Sequence, residues 1–372
     1  MRYIGLQLRF QDSYDLAVAH GVVHYAQKKS GWRIKGPLFS DSLADCDALI
    51  ARIESEEEAR AYRAASIPIV DIANATFNPF FHLVTNDDIA TGEIAGAYCK
   101  EAGLDALGWC GIDKVRWAAQ RFEGFSKGLH VPKESIHSFI QSLSWWRQLY
   151  ESSEEFDRWL KGLPKPIALF CGNDLSAVKT LFSCQRLEIA VPEEVMLLGV
   201  DNETLLCELA SPSISSIQPN CHAIGYEAAA LIDRLLSGGQ ATLAEQTILP
   251  LPIIERESTA IIHAGDEHVA RALKLIKAEA TYGLSAGEVA AESAISRRAL
   301  EMRFQKYRGR TILAEIQHQR LAEATRLLLH TSTTIKEVAY SCGFASEHRF
   351  YALFRKAYGM TPGEYRALHH PH

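Results

Sequence analysis

Two polar clusters in this sequence have the residue types needed to hold neighbouring hydroxyl groups. Gly172-Asn173-Asp174 and Asp201-Asn202-Glu203 each follow an apolar run, residues 167–171 and 195–200. Open α/β sheets bind their ligands beyond the carboxyl ends of strands. A carboxylate or an amide there bonds two vicinal hydroxyls at once. Arg121, on the helical stretch after the apolar run 106–110, adds a planar fork of donors. By position alone, Asp174 and Asn202 read equally well as helix caps and Arg121 as a surface cation. Phe10 and Tyr14, with Trp109, Trp117, Trp145 and Trp146, are candidate stacking faces for the apolar side of a ring. Tryptophans so placed are more often core or cleft-rim packing.

A second chemistry sits near the other end, where the sequence repeats itself once. Val289-Ala290 returns as Val338-Ala339, and Phe304-Gln-Lys-Tyr-Arg-Gly309 as Phe354-Arg-Lys-Ala-Tyr-Gly359. Each copy predicts a short helix, 285–292 and 334–341, then a tight turn, then a second helix behind a capping serine, Ser296 or Ser346. Leu300, Phe304 and Tyr307, and likewise Phe350, Phe354 and Tyr358, recur at helical spacing and face a core. Ser296, Arg297, Arg298 and Glu301 in one copy, and Ser346, Glu347, His348 and Arg349 in the other, are left to face double-stranded DNA. Arg298, early on its helix, is the best placed to read a base edge. Residues 312–329 predict one continuous helix holding the two units apart. Two such recognition helices, roughly 34 Å apart, would enter successive turns of the major groove.

Other chemistries find little support. His20 and His24 stand at i and i+4 like a metal pair, but no third ligand can be assigned, so no metal and no cofactor is expected. The eight cysteines, at 46, 99, 110, 171, 184, 207, 221 and 342, form no C-x-x-C pair and read as small core residues. No phosphate-binding loop, nucleophile elbow, H-E-x-x-H or dinucleotide fingerprint is present, which argues against an α/β enzyme. No apolar run approaches the ~20 residues that cross a bilayer, and the amino terminus does not resemble a signal peptide. A cytoplasmic protein without a membrane partner is expected.

The elements that must position these residues fall into two blocks. Up to about residue 252, short apolar runs (3–8, 48–53, 68–72, 106–110, 167–171 and 195–200) alternate with amphipathic stretches (13–29, 54–65, 87–101, 117–127, 154–163, 174–186 and 221–237). That is the pattern of a parallel sheet covered by helices. Beyond Ala264-Gly265 the chain reads as wholly helical. Residues 1–262 and 266–372 are therefore the expected domains. Residues 266–372 hold 16 Lys+Arg and 11 Asp+Glu, a net +5, whereas the rest of the chain holds 23 and 34, a net −11. A basic module on an acidic body suits a nucleic-acid binder whose larger part does something else.

The helical block resembles the AraC-type activators through Arg320-Leu-Ala-Glu-Ala-Thr-Arg-Leu-Leu, Ile335-Lys-Glu-Val-Ala, Cys342-Gly-Phe-Ala-Ser and Thr361-Pro-Gly-Glu-Tyr-Arg. The larger block resembles the periplasmic-binding-protein-like sensor of LacI/GalR regulators through Arg121-Phe-Glu-Gly-Phe, Phe170-Cys-Gly-Asn-Asp, Val191-Pro-Glu-Glu-Val-Met-Leu-Leu-Gly-Val-Asp-Asn and Ser215-Ser-Ile-Gln-Pro-Asn. The domain order, with Tyr14-Asp15, Arg116-Trp117-Ala118 and Asp201-Asn202-Glu203, resembles the xylose-operon activators over nearly the whole chain. It departs from them at Arg9-Phe10-Gln11-Asp12, where an asparagine-containing stretch is replaced. The resemblance implies a two-lobed α/β sensor followed by an all-α double helix-turn-helix domain. It also implies a small sugar effector, an aldopentose such as xylose, held by Arg121, Asn173, Asp174 and Asp201. A homodimer that works with RNA polymerase on operator DNA follows from the same likeness. The rival is a DNA-binding regulator whose large domain is a ligand-free interaction or dimerisation module.

Overall fold

A computed structural model describes every residue except 11, 37–45, 78–79, 239–242, 261–265, 309, 359 and 370–372. The chain forms two units that divide between Thr259 and Ala260. The expected boundary segment 262–266 falls largely outside the described residues. So do Gly239, Gly309 and Gly359, the tail His370-Pro371-His372 and the side chain of Tyr307.

The first unit holds two six-stranded sheets. One is built from β1 (Arg2–Gln7), β2 (Trp32–Lys35), β3 (Ala48–Ala51), β4 (Ile69–Asp71), β5 (His82–Asn86) and β11 (Glu245–Ile248), in the order β11-β5-β4-β3-β1-β2. The other takes β6 (Ala106–Ile112), β7 (His137–Gln141), β8 (Ile167–Cys171), β9 (Val195–Val200), β10 (Ser215–Ile217) and β12 (Ile253–Ile254), in the order β12-β10-β9-β8-β6-β7. All neighbours are parallel except β10 and β12. Central strands buried on both faces read as unbroken apolar runs. All residues of β8 and β9 are buried.

Each sheet is the middle of its own lobe. The first lobe's core joins Ile4, Leu6, Ile50, Val70 and Val84 to Val18 and Val22 of helix Ser13–Gln27 and to Ile224 and Ala228 of helix Cys221–Leu236. The second gathers Cys110, Phe139, Trp146, Phe156, Leu169, Leu181 and Leu197. The chain crosses between the sheets three times, after β5, after β10 and after β11. The crossings are tied by Asp87 N–H to Ile248 O and Leu251 N–H to Gln218 O, both 2.8 Å.

The second unit is helical. Helices Ala286–Glu292 and Arg297–Arg308 make one helix-turn-helix, and Ile335–Ser341 and Glu347–Tyr358 make the other. Both first helices open with capping boxes, Ser285 with Glu288 and Thr334 with Glu337. Helix Ile312–His330 joins the two motifs: Ile312 and Ile316 pack in the first core with Leu300 and Phe304, and Leu321, Ala324 and Leu328 in the second with Phe350 and Phe354. Gly343 turns the second motif at φ +77°, and a Cβ there would stand 2.7 Å from Thr281 O. The first motif makes the same turn at Ala294 with φ 57°.

Candidate functional site

Arg121 is the centre of the larger unit's site. It lies on helix Arg116–Leu129, which packs so closely on helix Asp88–Glu101 that a Cβ on Gly92 would meet Arg121 O at 2.1 Å. A Cβ on Gly124 would meet Ile89 O at 2.0 Å. Only glycines permit that approach, and it brings the Arg121 side chain onto Asp88. Its Nε donates to Asp88 Oδ1 at 2.9 Å and one terminal nitrogen to Gly172 O at 2.7 Å. The other stands 3.6 Å from Asp201, and the guanidinium lies 4.6 Å from the Trp117 ring. Burial works against the Arg121 cation, but Asp88 and Asp201 more than offset it and raise its pKa.

Around it opens a cleft of about 230 Å³. That is below the ~300–1,000 Å³ usual for drug-sized ligands, so it fits a small molecule. Tyr14, Arg121, Asn173, Asp174 and Asp201 all line it, and Trp117 is the one tryptophan of the four considered that does. Asp174, 1% exposed, accepts from Ser216 Oγ at 2.7 Å and from Glu203 N–H at 2.8 Å. Burial lifts its pKa to about 6 against those bonds. Asp201 is pushed up to about 7 by burial, with Arg121 opposing, although 30% of its side chain is accessible. It directly follows β9 at φ 109° and is itself followed by Asn202 at φ 47°. Non-glycine residues rarely adopt such backbone, and it recurs at ligand sites.

Several expectations need correction. The caps are Asn173, which accepts from Ser176 N–H at 3.0 Å, and Glu203, rather than Asp174 and Asn202. Arg121 is buried, not a surface cation. Asn202 turns away from the cleft and accepts from Arg256 at 2.8 Å, because its left-handed backbone reverses the chain. Phe10 packs against the first lobe's core and does not line the cleft. Trp109 and Trp146 are core residues, and Trp145 packs tilted against Phe139 and edge-on to Trp146 and Phe156. His24 faces His222, with nitrogens 3.3 Å apart. Among the described residues, no group of three or more His, Cys, Asp or Glu is placed to hold a metal.

Sequence reasoning missed Asp88 and Arg52. Asp88 follows β5, a strand the apolar pattern did not show. Arg52 directly follows β3, which ends at Ala51, whereas the expected run 48–53 carried Arg52 inside the strand. It bonds Asp12 at 2.6 Å, Asp15 at 3.0 Å and Glu54 at 2.9 Å.

In the helical unit, Ser296, Arg297, Arg298, Ser346, His348 and Arg349 are exposed, and Glu301 and Glu347 are half-buried. Ser296 Oγ accepts from Ala299 N–H at 3.2 Å, and Ser346 Oγ from Arg349 N–H at 3.3 Å. Glu301 accepts the Ile312 N–H at 3.3 Å, a bond that ties its helix to the connecting one. Arg320 donates to Ala280 O at 2.7 Å and Leu284 O at 2.9 Å.

Residues 97–259 match the family described as periplasmic binding protein-like domain, and residues 289–368 match the helix-turn-helix domain. The xylose operon regulatory protein of Escherichia coli (strain K12) is 31% identical over 98% of this chain and 96% of its own length. That of Haemophilus influenzae is 28% identical over 98% and 97%. The solved structure of a xylose-binding transcription activator superposes with a TM-score of 0.62 at 29% identity, covering 100% of this chain and 99% of the other. These relatives are transcription regulators, and no helix among the described residues is long and apolar enough to cross a membrane. With a two-lobed α/β unit ahead of a double helix-turn-helix, this chain belongs to the family of xylose operon regulatory proteins, sugar-responsive DNA-binding transcription regulators.

Proposed function

We propose that this chain activates a pentose-utilisation operon: an aldopentose such as xylose occupies the cleft, and a homodimer presents its recognition helices to operator DNA and to RNA polymerase. The observation that carries the sugar reading is a small cleft walled by hydrogen-bonding groups, with the Arg121 fork fixed on Asp88 and Gly172 O and the Asp201 carboxylate beside it. Vicinal hydroxyls need this alternation of donors and acceptors. Arg121, Asn173, Asp174, Asp201 and Tyr14 are the proposed ligand contacts. Ser296, Arg297, Arg298, Ser346, His348 and Arg349 are the proposed DNA contacts, with Glu301 and Glu347 at their edge.

Melting of the full-length chain against a panel of pentoses and hexoses tests the sugar. A ligand that binds only the folded state raises Tm, by about 2.7 kcal/mol of stabilisation at a hundredfold excess over Kd. Asp201→Ala should abolish the shift and leave operator binding intact, and Arg298→Ala should do the reverse. No shift with any sugar would refute the reading.

A further inference from the structure

Among the described residues, six carboxylates line the cleft, those of Asp12, Glu54, Asp88, Asp174, Asp201 and Glu203, against three arginines, Arg52, Arg121 and Arg147. The arginines already face protein carboxylates. Arg52 pairs with Asp12, Asp15 and Glu54. Arg121 pairs with Asp88 and stands near Asp201, and Arg147, half exposed, is 4.0 Å from Glu54. The Arg121 edge left open to an incoming anion stands beside the Asp201 carboxylate, 3.6 Å away.

Five of the six carboxylates are satisfied. Asp12 accepts from Arg52 and the Asp15 N–H, and Glu54 pairs with Arg9 and Arg52. Asp88 accepts from Arg121, Asn74 and Asn86. Asp174 accepts from Ser216 and the Glu203 N–H, and Glu203 from the Ser13 N–H. Asp201 accepts no hydrogen bond among the described residues, its nearest cation is 3.6 Å away, and its φ of 109° sets it at the cleft. A carboxylate at a cleft whose lone pairs no protein group fills calls for donors from the ligand. A second anion beside it meets repulsion that water screens poorly.

We propose that the cleft selects its sugar by charge: it admits neutral polyols and polyols bearing an ammonium group, which Asp201 pairs, and it refuses those bearing a carboxylate or phosphate. The inference rests on reading the cleft as a sugar site and names the class of sugar it takes. Calorimetry on the full-length chain at neutral pH tests it with D-xylose, 2-amino-2-deoxy-D-xylose, D-glucuronate and the uncharged isostere D-glucuronamide. The amine is expected to bind at least as tightly as xylose, and glucuronate at least tenfold more weakly than its amide. Asp201→Asn should weaken the amine at least tenfold relative to xylose and shrink the gap between glucuronate and its amide.

Glucuronate binding as tightly as the amide, or an amine more than tenfold weaker than xylose, overturns the charge rule and leaves the pentose reading standing. Binding of the amine without xylose does the opposite. Silence from all four probes overturns both. If neither uronic compound binds, the amine against xylose decides, and if Asp201→Asn does not fold, the wild-type ratios decide.

Discussion

The Arg121 guanidinium spends Nε on Asp88 and one terminal nitrogen on Gly172 O, which leaves its remaining edge toward Asp201 and the cleft. A lysine keeps the charge but not the fork. Arg121→Lys is therefore expected to lower sugar affinity at least tenfold in calorimetry. Arg121→Met strands a buried Asp88 and should cost about 3–5 kcal/mol in denaturant unfolding. A pH dependence follows from three acids. Burial raises Asp71 and Asp201 to about 7 and Asp174 to about 6. In each case the folded pKa lies above the unfolded one, so the folded state holds more protons between roughly pH 4 and 7. Their contribution is fully present below that window and is lost as pH rises through it. His222, which burial lowers to about 4, opposes this below pH 6.5, so Tm of the unliganded chain should fall from pH 6.5 to 8, and Asp201→Asn should flatten part of the slope. A Tm that climbs across this range would contradict the assignment. Asn173, Asp174 and Asp201 were legible as polar residues after apolar runs, and Arg121 as a cation on the helix that follows one. Asn202 was not, because adjacency to a strand end does not reveal the left-handed turn that swings its side chain onto Arg256.

At the scale of elements, two glycine pairs set the geometry that these residues use. Gly92 and Gly96 on one helix face Gly124 and Gly128 on the other, each against backbone atoms of its partner. Gly124→Ala should force the helices apart, cost roughly 1–3 kcal/mol as overpacking and pull Arg121 from Asp88. Both Tm and sugar affinity are expected to drop. Unchanged affinity in a folded variant would show that the helix spacing does not position Arg121. The repeat supplies an internal comparison, since Ala294 and Gly343 hold equivalent left-handed turns. Left-handed backbone costs an L-residue about 1–2 kcal/mol, more than the ~0.5–1 kcal/mol of chain entropy that glycine adds. Ala294→Gly should therefore raise stability by about 0.5 kcal/mol or more. Gly343→Ala should lower it, with the Thr281 O contact added to the strain. The apolar runs showed β1, β3, β4, β6, β8 and β9, all interior strands. The pattern missed the edges β2, β7 and β11, because their residues are mostly half-buried or exposed and do not run apolar. It also missed β5, which ends in polar Thr85 and Asn86, and the three-residue β10.

In the whole molecule, sugar and operator binding are tied by linkage. Two lobes joined by three crossings form a hinge, and hinge closure around a ligand is a common switching motion. A sugar that binds one arrangement of the lobes more tightly shifts the population toward it, and by no more than its preference. If that arrangement also sets how the paired helix-turn-helix units of a dimer meet operator DNA, sugar and operator affinities are coupled reciprocally. The coupling expected is 1–3 kcal/mol, or roughly 5- to 150-fold. Three proteins separate the links. Wild type should bind a two-half-site operator differently with saturating sugar, and bind sugar differently with saturating operator, by the same factor. Asp201→Ala should show the sugar-free operator affinity whether or not sugar is added. Arg298→Ala should keep sugar affinity and lose ~1–3 kcal/mol of operator preference if it reads a base. Operator titrations with and without sugar, run beside sugar titrations with and without operator, check all three. Unequal factors in the two directions would break the cycle, and identical operator binding in wild type with and without bound sugar would refute the coupling itself.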